Sequence, residues 1–332
     1  MKHLVITKKI IFSAVISMAS IMASTHSRAS ELPIPDELHS FMPTQQVISG
    51  IYAADDYILV FPSKQPYMIR VPFKSDAIKR SEKFGRLDEQ VRIPLNSGMA
   101  PGDWRGLYAD GDMQIVWDAN ILQLLILRKK DFSPVRVSTP PIDLLKPAPD
   151  RGGEPTKTET SRTRSAFHKS FVKISESRFT GMVEIPESWG KDKGRNFLLA
   201  SRIKGFPLLM MTCAKDDAAT CVMTRTCTLN GGFPSKNGYG IGLGIDAERR
   251  EVLMANSMTN RIDVFHFNSC ADVRHVSSLS LPTKMPKISG LNIDDRGRLW
   301  VTTGVMDSSF DTNVFYWEKT QWRDSGGLKK HP

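Results

Sequence analysis

Carboxylates recur along this chain at one kind of place. Asp55, Asp110, Glu184, Asp246 and Asp294 each lie at or near the end of an apolar stretch that opens on a glycine, as in SGIYAAD, RGLYADGD, TGMVEI, IGLGID and SGLNID. Two or three acids gathered from separate segments could serve as general acid, base and nucleophile on a glycosidic bond. The same residues have a plainer use, because Asp at a strand end bonds its own backbone and favours a turn. The turn is the expectation, and no catalytic residue is assigned.

The position just before each glycine is the second candidate. It holds Ser49, Arg105, Thr180, Ile241 and Ser289. If the five stretches are equivalent strands around an axis, Ser49, Arg105, Thr180 and Ser289 converge on one mouth, where Arg105 supplies the permanent charge. An Arg fork in a partly desolvated funnel suits a carboxylate or phosphate group. The competing role for Arg105 is a pair with a neighbouring acid such as Asp103.

Other chemical signatures are missing. Of His168, His266 and His275, His266 sits between aromatic residues in VFHF and reads as a packed strand residue. There is no GxSxG nucleophile motif. The glycine-rich NGGFPSKNGYGIGLG has neither the lysine spacing of a phosphate-binding loop nor the context of a dinucleotide fingerprint, and no CxxCH haem motif occurs. No cofactor and no metal are expected.

Cys213, Cys221, Cys227 and Cys270 are the four cysteines. They lack the tight paired spacing of zinc sites, and in an exported chain they read as disulfides, with three pairings open. Cys213 and Cys221 bracket AKDDAAT between two apolar runs and could face each other across a hairpin, which leaves Cys227 with Cys270.

The elements that must position these residues are strands. Ile288 to Thr303, ISGLNIDDRGRLWVTT, reads as strand, polar turn at Asp294 to Gly297, and strand. The upstream glycine stretches echo its first half, each followed by short apolar runs such as YILVF, MQIVW, ILQLLIL, NFLLAS and EVLMAN. Five such repeats, four strands each, point to a blade architecture. Residues 138–164 have almost no apolar content and form a polar excursion within a single domain over 47–332, and a sixth blade has room around Ser165 to Ile174. Residues 30–46 are a lead-in that docks on the fold, and a short tail begins at Gln321.

The first 29 residues stand apart. Lys2, Lys8 and Lys9 precede an apolar run from Ile10 to Ala23, and Ser27-Arg28-Ala29 offers small residues for cleavage. The run is too short to span a bilayer and reads as a signal peptide cut after Ala29, which predicts a periplasmic or extracellular protein with no membrane span after cleavage. Removing Lys2, Lys8, Lys9 and Arg28 takes four charges from the formal +10 and leaves +6. With the remaining basic residues scattered, the excess reads as a solvated face rather than a nucleic-acid site.

Units of the form GLNIDDRGRLWVTT resemble the repeat of the NHL and SMP-30/gluconolactonase-like β-propellers, a superfamily that is also similar to the yellow/royal-jelly-type secreted propellers. The resemblance covers roughly Val47 to Trp317 and implies an all-β propeller. In lactonase-type members the inner strands carry acidic metal ligands just before the repeat glycine. Here those places hold Ser49, Arg105, Thr180, Ile241 and Ser289, so the metal chemistry does not carry over. The expectation is an exported, non-catalytic propeller that binds or scaffolds a protein or anionic envelope ligand; the alternative is an SMP-30-like hydrolase or lactonase with an atypical axial site.

Overall fold

The structure is a computed structural model and describes residues 30–33, 48–54, 57–62, 67–72, 91–94, 104–110, 112–118, 123–128, 130, 133–138, 179–189, 194–201, 208–214, 221–230, 234, 239–256, 258–283, 285, 287–304 and 313–325. Among these, strands dominate and almost no helix occurs. They form five separate sheets, and within each the central strands follow one another in chain order.

Sheet one holds β2 (Ile48–Ala53), β3 (Tyr57–Pro62), β4 (Tyr67–Pro72) and β5 (Val91–Pro94). Sheet two holds β6 (Trp104–Asp110), β7 (Met113–Asp118), β8 (Gln123–Arg128) and β9 (Pro134–Ser138). Sheet three runs from β10 (Phe179–Ile185) through β11 (Arg195–Ser201) and β12 (Leu208–Cys213) to β13 (Cys221–Thr226). Sheet four has β15 (Tyr239–Asp246), β16 (Glu251–Asn256), β17 (Arg261–Ser269) and β18 (Asp272–Ser280). Two short strands, β1 (Ser30–Glu31) and β14 (Leu229–Asn230), pair parallel to β18. Sheet five has β19 (Ile288–Ile293), β20 (Leu299–Thr303) and β21 (Asn313–Trp317).

The strand sequences read as unbroken apolar runs because both faces of each sheet are covered. In β3, Ile58 and Val60 enter a core shared with Trp300 and Val314 of sheet five. Their alternates Leu59 and Phe61 enter another core with Val116, Leu125 and Leu127 of sheet two. In β16, Val252 and Met254 pack with Leu198 and Leu208 of sheet three, whereas Leu253 and Ala255 pack with Leu299 and Val301 of sheet five. A period of two thus feeds two cores from one strand.

The first strands of the five sheets pack on one another in the order β2, β6, β10, β15, β19 and back to β2. Their approach is close enough to require glycine. A Cβ on Gly242 of β15 would lie 2.5 Å from the backbone nitrogen of Leu291 in β19, and one on Gly181 of β10 would lie 3.0 Å from Gly242 Cα.

Four strands per sheet holds for sheets one to three; among the described residues sheet four has six and sheet five three. The segment from Gln321, expected as a tail, lies in helix α1 (Lys319–Ser325). The helix is held by Trp322, whose indole is fully buried and donates to Gly297 O at 2.9 Å.

Of the lead-in, residues 30–33 are described, and they pack on sheets four and five. Leu32 is 2% exposed within the core of sheets four and five, its N–H donates to Ser280 O at 2.9 Å, and Trp317 Nε1 donates to Pro33 O at 2.8 Å. The segment after β1 therefore ties the outer edge of sheet four to sheet five. The expected signal peptide (1–29), the polar excursion apart from Ser138, and the sixth-blade stretch lie outside the described residues.

The cysteines form Cys213–Cys221 and Cys227–Cys270. Cys213 and Cys221 are register partners in β12 and β13. Cys227, whose N–H donates to Leu208 O of sheet three, is bonded to the turn between β17 and β18, so the second bridge links sheets three and four.

Candidate functional site

Residues at the carboxyl ends of β2, β10, β15 and β19 line one cleft of about 660 Å³. Ala53, Ile185, Asp246 and Ile293 mark the four strand ends, and α1 adds Lys319, Trp322 and Arg323 to the wall. That these ends meet at one place follows from the packing of the first strands side by side, all running toward the cleft.

Three of the recurring carboxylates, Glu184, Asp246 and Asp294, reach this cleft. Each is engaged. Glu184 receives a forked pair from Arg195, Nε to Oε1 at 2.9 Å and Nη2 to Oε2 at 3.3 Å. Asp294 is 5% exposed and accepts four hydrogen bonds: Oδ1 from the N–H groups of Arg296 and Arg298, Oδ2 from Arg298 Nε at 2.6 Å and Trp300 Nε1 at 2.8 Å. Gly297, with φ of +77°, completes this turn in a conformation that favours glycine. Asp246 Oδ1 accepts from the Arg249 N–H and from Arg323 of α1.

Glu248, in the turn after β15, is bonded by Lys319 and by Arg323 Nη1. The Lys319 hydrogen bond first, and Arg323 next, hold its carboxyl down at about 2. Behind Asp246, Glu251 begins β16 in register with it and is 7% exposed. Burial, and then the charge of Asp246, pushes the Glu251 carboxyl up to about 7. Asp55 lies outside the described residues, as does the side chain of Asp110, whose backbone ends β6.

The residues before the repeat glycines share a different feature. Ser49, Arg105, Thr180 and Ser289 each sit where the register of the first strand slips, between Ile48 and Gly50, Trp104 and Gly106, Phe179 and Gly181, and Ile288 and Gly290. They are four equivalent bulge residues at the amino ends of their strands, a place where a bulge re-aims a side chain. The cleft lies at the opposite ends. Ser289 is 7% exposed and its hydroxyl donates to Thr302 Oγ1 at 3.1 Å. The side chains of Ser49, Arg105 and Thr180 lie outside the described residues, as does that of Ile241.

No family model matches the chain, and no curated protein matches it. Among solved structures it is similar to the glutaminyl cyclase of Myxococcus xanthus, at 9% identity and a TM-score of 0.45 over 87% of this chain and 95% of that one. It is similar to a luciferin-regenerating enzyme, at 10% and 0.42 over 83% and 73%. A nidogen/laminin complex gives 14% and 0.42 over 82% and 84%. At these identities and TM-scores none carries an argument about what this chain does.

Glu184 has both oxygens bonded by the Arg195 guanidinium, and Asp294 has both bonded, Oδ1 by backbone N–H groups and Oδ2 by Arg298 Nε and Trp300 Nε1; no group of three metal-ligating side chains occurs among the described residues.

One cluster went unnoticed in the sequence. Ser278 Oγ donates to Asp263 Oδ1 at 2.5 Å and lies 3.1 Å from His275 Nε2. The residue types are those of a hydrolase triad, but the order is not, since the hydroxyl proton points to the aspartate rather than the imidazole. Ser278 is 1% exposed, and burial lowers the His275 pKa. The cluster satisfies buried polar groups between β17 and β18. His266 is partly buried and meets Asn268 Oδ1 at 3.1 Å.

Proposed function

We propose that this chain is an exported five-bladed β-propeller that binds or scaffolds a partner through the mouth at the carboxyl ends of its first strands. Support for the blades comes from five sheets whose first strands pack in cyclic order. Export draws on the charged and apolar start of the sequence, and two disulfides are compatible with it.

The observation that carries binding over hydrolysis is the state of the cleft acids. General acid–base chemistry needs a carboxyl free to exchange a proton with a substrate. Glu184 and Asp294 are instead clamped by the arginines of their own sheets, and Glu248 is held far below neutral by Lys319 and Arg323. Clamped charges shape a recognition surface.

A photo-crosslinking amino acid at Ala247, exposed on the rim, should capture a discrete partner in the producing cell, whereas the same probe at Lys130, exposed on sheet two, should not. Equal or absent capture at both positions argues against the reading.

The alternative, an SMP-30-like hydrolase with an atypical axial site, has one observation in its favour: the Glu251 carboxyl, poised near neutral beside Asp246. Turnover of a lactone or ester panel by the purified protein, lost on Glu251→Gln, would decide for it.

A further inference from the structure

We propose that Asp246 and Glu251 share one buried proton, and that this carboxyl–carboxylate bridge holds the turn at the rim of the cleft closed below neutral pH and releases it above. The device concerns the shape of the mouth and does not depend on what the mouth binds.

The first argument is geometric. Asp246 and Glu251 are register partners where β15 and β16 meet their turn, so their side chains leave the same face of sheet four. Asp246 is 3% and Glu251 7% exposed, and Asp246 Oδ2 and Glu251 Oε2 both lack a donor. Asp246 Oδ1, by contrast, accepts from Arg323 and from the Arg249 N–H, which places the negative charge on Asp246. A single proton on Glu251 then satisfies both orphaned oxygens, Oε2–H donating to Oδ2. Without it, two buried acceptors would stand unpaired side by side, which is costly.

The second is the set of charges around the pair. Burial, and then the charge of Asp246, keeps the proton on Glu251 up to about pH 7, against the pull of Arg249 from the turn and Arg323 from α1. On its other side Glu251 is in register with His266 of β17, whose ring is engaged by Asn268 Oδ1. Arg250 is directed to Asn268 O and the Trp189 ring. Loss of the proton puts two like charges in register in a buried place, and Arg323 cannot match both because it also bonds Glu248.

The third is the turn itself. Arg250 adopts φ of +55°, a left-handed conformation that a residue with a Cβ rarely takes, so the closed turn relies on strand ends that are clipped together. Ala247 and Glu248 of this turn line the cleft, and Asp246 carries Arg323 of α1. Ionisation of Glu251 therefore reaches both the rim and the helix.

Hydrogen exchange of the full chain at about pH 6 and about pH 8, corrected for the intrinsic rise of exchange with pH, tests the proposal. Amides of residues 247–250 and of α1 should lose at least about tenfold in protection at the higher pH, as loss of a hydrogen bond to a charged group does, while those of β3 keep theirs. Glu251→Gln, whose side-chain N–H can donate to Asp246 at any pH, should stay protected at both. Glu251→Met, of similar length and without a donor, should be unprotected at both. Protection in the Met variant equal to that in the Gln variant would mean that burial of the charge alone sets the effect. That outcome, or a parent whose turn and helix exchange alike at the two pH values, overturns the bridge. Should Glu251→Met fail to fold, carboxyl-carbon NMR decides: titration of Glu251 near 7 in the parent and higher in Arg323→Gln supports the bridge, and titration near the ordinary 4.5 overturns it.

Discussion

Asp246 and Glu251 face each other in register across the turn that joins β15 to β16, both almost fully buried and each with one oxygen that accepts no hydrogen bond. Two carboxylates so placed cannot both ionise freely. Asp246 has Arg323 as its counter-ion, and Glu251 keeps its proton up to about pH 7, against an ordinary 4.5.

This pair sets a pH dependence. Below about 4.5 Glu251 is protonated whether or not the chain is folded. Between there and about 7 the unfolded chain gives up a proton that the folded chain holds, so stability falls as pH rises through that window. The loss amounts to about 2 kcal/mol once solvent at the rim is allowed for. Glu251→Gln should remove it. Urea melts at about pH 5 and about pH 8 should therefore converge in the variant and differ in the parent.

Asp294 anchors the hairpin of sheet five through Arg298 and Trp300, and the Arg298 side chain is only 3% exposed. Asp294→Ala leaves that guanidinium buried without its charge partner and should cost about 3–5 kcal/mol. Replacing Arg298 by Met in the same chain should recover much of the loss, which a double-mutant cycle on chemical denaturation measures.

Gly242→Ala places a methyl group against the Leu291 backbone, where no side chain can yield. The first strands of sheets four and five must then separate. Loss of the cooperative melt, or a fall in midpoint well beyond that of Ala247→Gly on the exposed turn, is the expected result.

Leu32→Ala empties a site between sheets four and five that the segment after β1 fills, and should cost about 2–5 kcal/mol. Limited proteolysis should then cut next to residue 32 before it cuts elsewhere. A chain starting after Pro33 should show the same loss of stability.

The sequence by itself determined the strands. Period-two alternation, Gly punctuation and polar turns located β19, the Asp294 turn and β20, together with the glycines that close packing demands, because strand formation and turn geometry are decided by residues a few positions apart. The disulfide partners were legible too, since Cys213 and Cys221 bracket a hairpin and export leaves the remaining two for each other. Only the tertiary structure decided which end of the first strands opens into a cleft. It also decided that Arg323, 77 residues from Asp246, supplies the counter-ion there, and that the segment after Trp317 is a helix bearing on that rim. Such pairings depend on where sheets four and five stack, and stacking is set by the fit of whole faces, for which neighbouring residues in the chain carry no record.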